Sequence, residues 1–136
     1  TLFIPMLMDT GGNSGSQASV TVIRAMSLGD IEFSDVFQVV WKEARVGMLC
    51  AATLGVVVFV KVILIDQKSP VMAFVVALTI FATIVIAKLV GCLLPMLAKR
   101  LGFDPAVMAS PFITTVVDAL SLVIYFLIAT QVMSIT

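Results

Sequence analysis

The sequence predicts an all-α membrane protein, a transmembrane helix bundle with four membrane helices in 136 residues. Two observations lead there. Hydrophobic residues make up 61% of the chain and charged residues 12%, about half the soluble average. A soluble domain of this length has too little interior for so much apolar surface, so lipid is the expected solvent. Three runs are also long enough to cross a bilayer, which takes roughly 20 apolar residues. They are Val46–Leu64, Val71–Ala98 and Ala106–Met133, each holding one charged residue: Lys61, Lys88 and Asp118.

The first element is the least obvious. Leu2–Leu28 is apolar at both ends, but its middle reads DTGGNSGSQ, Asp9–Gln17. On a helix, Asp9, Asn13, Ser16, Gln17 and Arg24 share one face. Gly11, Gly15 and Ala18 share the opposite face, with the spacing of small residues that lets two helices approach closely. One face is suited to packing and the other to water or an ion. If the glycines break the helix instead, such backbone is tolerated at membrane depth only where it lines a cavity.

Between the first and second elements, Ser27–Glu43 carries Asp30, Glu32, Asp35, Lys42 and Glu43. Its apolar residues Ile31, Val36, Val39 and Val40 suit an amphipathic surface segment, which places the second helix at about 44–65. Ser69-Pro70 and Asp104-Pro105 each pair an N-cap residue with a proline at the first helical position. They open helices at about 70–99 and 105–133, and Gly102 after Lys99-Arg100 marks a helix end. All four helices, the first at about 2–28, form one domain, residues 1–136.

Basic residues set the orientation. Arg24, Lys42, Arg45, Lys99 and Arg100 flank the first and third connections, whereas Lys61 and Lys68 flank the second. The excess assigns the first and third connections to the cytoplasm and both ends of the chain to the outside. The chain opens directly in apolar sequence, without the features of a signal peptide, and reads as part of a longer protein.

Composition narrows the chemistry. There is no histidine, so the commonest general base and zinc ligand is missing. Net charge is zero with no basic cluster, which argues against a nucleic-acid partner. Cys50 and Cys92 lie in apolar runs and are expected to be small buried hydrophobes. Asp118 stands out, because an ionisable residue at membrane depth is costly and usually faces a bundle interior or a watery path. Ser110, Thr114, Asp118, Ser121 and Tyr125 fall within about 80° of arc on one helix, a stripe suited to a water-lined wall. Lys88 has no partner evident in sequence and is expected to snorkel or to pair with a carboxylate across the bundle. Asp104 is expected to cap the helix at Pro105.

Carboxylate, amide and hydroxyl oxygens suit hard cations. Magnesium keeps several waters and needs only one or two carboxylates, and twofold symmetry would double a lone Asp118. The residue chemistry therefore favours a hydrated divalent cation in a homodimer, and leaves sodium or protons open.

The motifs DTGGNSGSQA, VIRA, KEA, KLVGCLLP and DPAVMASPFITTVVDALSLVIYF, in that order, resemble the membrane domain of the MgtE magnesium channels over nearly the whole chain. The resemblance implies a Mg2+-selective pore in a bacterial inner membrane and no enzymatic activity. It implies a homodimer of five-helix subunits, with this chain holding the second to fifth helices. The first helix and the cytoplasmic N and CBS regulatory domains would lie upstream. Residue by residue, it implies that Asp118 holds hydrated Mg2+ near the dimer axis. Asp104, with the Phe103 carbonyl, and Glu43 match metal-associated positions at the cytoplasmic mouth. Asn13 matches the asparagine of the family's Gly-Gly-Asn motif, and Ser16 a position where some members have a second asparagine; with Gln17, Ser110, Thr114 and Ser121, which the helical faces add, they are expected to line the pore, while Gly11 and Gly15 are expected to pack helices. Ser121 stands where the family often has glycine, so packing there departs from the pattern. Mn2+, Co2+ and Ca2+ are further candidate ions. A coupled carrier exchanging Mg2+ for Na+ or H+ is the main rival. An intramembrane aspartyl protease using Asp9 and Asp118 lacks its motifs, and a non-transporting assembly subunit is the remaining alternative.

Overall fold

Four helices account for most of the computed structural model, which describes residues 2–108 and 110–135. They are α1 (Ile4–Leu28), α2 (Val36–Leu64), α3 (Pro70–Arg100) and α4 (Ser110–Ile135). Short 3-10 turns at Phe33–Asp35 and Pro105–Met108 precede α2 and α4. Among the described residues there is no strand.

Local chemistry explains the boundaries. Ser69 caps α3, its hydroxyl accepting from the Met72 N–H at 3.3 Å, with Pro70 in the first turn. Gly29 and Gly102 close α1 and α3 with φ of +78° and +83°, a conformation that glycine adopts without strain. Behind them the Asp30 N–H donates to the Ala25 carbonyl and the Phe103 N–H to the Ala98 carbonyl, satisfying helix-end acceptors.

The start of α2 corrects the sequence expectation. Residues 36–43 are not a separate surface segment; they are the first two turns of α2. The turn before them is pinned by the Glu32 N–H donating to Asp35 Oδ2 at 2.8 Å. Val36, Val39 and Val40 then pack with Ile31 and Phe33 against Val22, Met26, Cys92 and Met96. The apolar face that suggested a membrane surface faces α1 and α3 instead.

Contacts fix the path of the chain. Gly11 meets Thr83 and Gly15 meets Ala87, so α1 and α3 run parallel. Gly12 meets Asp118 while Ser19 bonds to Met108, so α1 and α4 run antiparallel. Gly47 meets Lys88 while Gly55 meets Ala77, so α2 and α3 run antiparallel. The helices alternate in direction, and the start of α1 and the end of α4 lie at the same end of the bundle. α3 is the central helix and packs on all three others.

Among the described residues, three helices are long and apolar enough to cross a bilayer, spanning Phe33–Leu64, Pro70–Arg100 and Pro105–Ser134. α1 is too polar for that description, yet its 25 residues reach about 37 Å at 1.5 Å per residue, more than the hydrocarbon core. It lies against α3 and α4, burying Leu7, Gly11, Gly12, Gly15, Ala18, Ser19, Val22 and Met26 at helical spacing. Large apolar side chains such as Leu49, Val56, Phe74, Val123 and Phe126 point outward, as a lipid-facing surface requires. Cys50 is among the outward residues, contrary to expectation; only Cys92 is buried, and neither forms a disulfide.

Candidate functional site

The site is built where α1 crosses α3 and α4. A Cβ on Gly11 would lie 2.6 Å from Thr83 Cγ2 and 2.9 Å from Ser121 Oγ. One on Gly15 would lie 2.9 Å from Ile113 Cγ2 and 3.2 Å from the Ala87 carbonyl oxygen. On the facing helix, a Cβ on Gly91 would run into the Gly15 carbonyl oxygen. The small face of α1 thus touches α3 backbone to backbone and takes α4 side chains into its glycines, the geometry that small residues allow in membranes.

The opposite face of α1 stays open. Asp9, Asn13 and Gln17 are exposed and Ser16 is half-buried. Gly12 lies between the two faces. A Cβ there would lie 3.2 Å from Asp118 Oδ1 and 3.3 Å from Thr114 Cγ2, so the missing side chain lets the α4 carboxylate rest against α1. Asp118 and Thr114 are half-buried, and Asp9 is near enough for its charge to act on Asp118. α1 and α4 thus each contribute a carboxylate, Asp9 and Asp118, near the crossing at Gly12.

The α4 stripe divides. Thr114 and Asp118 keep access to the surface, with the Thr114 hydroxyl donating to the Pro111 carbonyl at 3.0 Å. Ser121, expected on the wall, is 1% exposed and donates to the Val117 carbonyl at 2.7 Å. It fills the space left by Gly11, which is why it does not face outward. Tyr125 is likewise buried, in the core with Phe3, Leu7 and Ile80. The Ser110 side chain lies outside the described residues.

Asp104 and Glu43 sit toward the end of the bundle that holds the α1–α2 and α3–α4 connections, whereas Asp66 pairs with Lys61 at the opposite end. Asp104 caps the 3-10 turn, its Oδ1 accepting from the Ala106 N–H at 2.9 Å, and Phe103 beside it is exposed. Glu43 accepts from Lys88 Nζ at 3.3 Å in a pair whose side chains are only 11% and 13% exposed. Lys88 therefore has its partner across the bundle. No group of three or more His, Cys, Asp or Glu side chains converges to hold a metal among the described residues. A cation here would meet one or two carboxylates and keep most of its water, which is magnesium's habit.

The sequence matches the MgtE family, described as divalent cation transporter, over residues 4–128. This chain belongs to the MgtE family. It is 36% identical over 127 residues to a magnesium transporter MgtE of Thermus thermophilus, covering 93% of this chain. It is 35% identical over 132 residues to one from Enterococcus faecalis, covering 97%, and 35% over 128 residues to one from Bacillus subtilis, covering 94%. The chain spans 28–29% of the length of these relatives. MgtE membership and three membrane-crossing helices make this a multi-pass membrane protein. In this MgtE chain two glycines outside the Gly11, Gly15 and Ala18 spacing, Gly12 and Gly91, also shape the α1 crossings. Gly12 lies at the edge of the polar face on a helical wheel, the one signal that could have found it.

Proposed function

We propose that this chain is the membrane part of a magnesium channel, conducting Mg2+ down its gradient past Asp118. The observation that carries the proposal is the half-buried Asp118 resting on Gly12 with Asp9 beside it, on a polar face of an otherwise apolar bundle. Lipid is a poor neighbour for Asp9, Asn13 and Gln17, so a second copy of the chain is the partner that would cover this face. Twofold symmetry brings a second Asp118 to the same axis and supplies the charge that one carboxylate lacks. Hydrated Mg2+ suits such a site because bound water, not protein, fills most of its coordination. Asn13, Ser16, Gln17 and Thr114 would meet that water. Asp104, the Phe103 carbonyl and Glu43 would meet the ion at the cytoplasmic mouth. Binding must select the ion and still release it, which a water-mediated contact favours.

The relatives are magnesium transporters by name, which supports the choice of ion. Voltage-clamped bilayers test the mechanism. A channel gives currents that reverse at the Mg2+ equilibrium potential and ignore Na+ and H+ gradients. Reversal that follows either gradient identifies a coupled carrier instead.

A further inference from the structure

The contact between Glu43 and Lys88 does more than neutralise two charges. Lys88 lies near the middle of α3, and its stem crosses α2 at Gly47, where a Cβ would be 3.4 Å from Lys88 Cγ. Glycine there opens the channel through which the lysine reaches the carboxylate one turn earlier. Both side chains are nearly nine-tenths buried, so water replaces little of what each charge gains from the other. Glu43 also lines a cleft of ≈ 290 Å³ between α1 and the start of α2, with Thr21, Ala25, Asp35, Gln38 and Val39. α1 and α2 pack against α3 rather than extensively against each other, so the cleft width depends on how the start of α2 is held to α3. α3 holds it in three ways: Lys88 at Glu43, Arg100 stacked 4.4 Å from the Phe33 ring, and Cys92 and Met96 packed against Val36, Val39 and Val40.

We propose that Lys88 is a positioning residue: through Glu43 it clamps the first two turns of α2 to α3 and sets the width of the cleft between α1 and α2. Without the ammonium, the Glu43 carboxylate is left buried and unpaired, and the least costly relief is for the start of α2 to swing toward water. Such a swing would pivot at the exposed Gly29, which has nothing within 4 Å of its Cβ position, and would loosen the packing of Val36, Val39 and Val40. The clamp concerns the shape of the protein and does not depend on which ion crosses it.

Spin-label distances across the cleft test this. Thr21→Cys and Gln38→Cys place labels on its two walls, in a Cys50→Ser, Cys92→Ala background in lipid nanodiscs. Lys88→Met should shift the distance distribution outward and broaden it. Lys88→Arg should leave it in place, and the exchanged pair Glu43→Lys with Lys88→Glu should bring it back. Should Lys88→Met not fold, Glu43→Gln serves, because it keeps shape and removes only the charge; it too should shift outward. A distribution unchanged in the folded single variant, or an exchanged pair displaced as far as the single variant, overturns the clamp.

Discussion

Gly12 of α1 and Asp118 of α4 are in direct apposition: a methyl group on Gly12 would sit 3.2 Å from Asp118 Oδ1. That distance is slightly short for comfortable contact, and a carboxylate at the end of a rotatable side chain can yield. Gly12→Ala should therefore leave the fold intact, within about 1 kcal/mol, while turning Asp118 away from its position. The expected outcome is an unchanged melting midpoint with lower Mg2+ uptake into proteoliposomes. A normal uptake rate would mean that the placement of Asp118 against α1 does not matter to transport.

Gly91 behaves differently, because the obstacle is backbone. A Cβ at Gly91 strikes the carbonyl oxygen of Gly15, and no rotamer change removes that oxygen. Gly91→Ala has to push α1 and α3 apart and should cost on the order of 3 kcal/mol, the upper range for overpacking. Thermal unfolding in detergent reads this as a markedly lower midpoint. A midpoint equal to the parent's would show that the α1–α3 crossing is looser than described.

Gly11 offers a rescue test. Its hypothetical Cβ lies 2.6 Å from Thr83 Cγ2 and 2.9 Å from Ser121 Oγ. Gly11→Ala should destabilise the bundle, and adding Thr83→Ser, which deletes the nearer methyl, should recover part of the loss. The same stability assay reports the coupling, expected at about 0.5–3 kcal/mol for residues in contact. Additive effects would place Thr83 away from Gly11.

These glycines also show what sequence can and cannot disclose. Helical periodicity marks Gly11, Gly15 and Ala18 as a packing face and Asp9, Asn13 and Gln17 as a polar one, and the bundle buries the first set and exposes the second. Which helix each glycine meets is a tertiary fact absent from local spacing, so Gly12 and Gly91 passed without notice. Ser121 is a similar case, since its stripe with Asp118 is real but the space opposite Gly11 draws it inward. The early start of α2 was hidden because an amphipathic pattern reads alike on a lipid surface and on a helix packed against Met26 and Met96. Cap residues carried more information: Ser69 and Gly102 act as their types and positions predict, because a cap depends on neighbours only two or three residues away, and Asp104 caps at Pro105 as expected, although the turn it opens is 3-10 and α4 starts at Ser110.

Asp104 allows a separation of charge from capping. Its Oδ1 accepts from the Ala106 N–H, a bond an asparagine oxygen also makes. Asp104→Asn should therefore keep stability, whereas Asp104→Ala should lose about 1 kcal/mol, as for other caps. If the carboxylate also meets Mg2+ at the cytoplasmic mouth, both variants should lower uptake. Normal uptake in a stable Asp104→Asn protein would restrict this residue to capping.

The most direct test of the proposed path is Mg2+ flux through Asp118→Asn in proteoliposomes, with dimer content and melting midpoint measured on the same preparation. The substitution keeps size and polarity and removes the charge next to Gly12 and Asp9. The account predicts an intact, folded protein whose Mg2+ flux falls by about tenfold or more, corresponding to roughly 1.4 kcal/mol or more of lost interaction. Magnesium-selective flux at the parent level in that folded protein would contradict it.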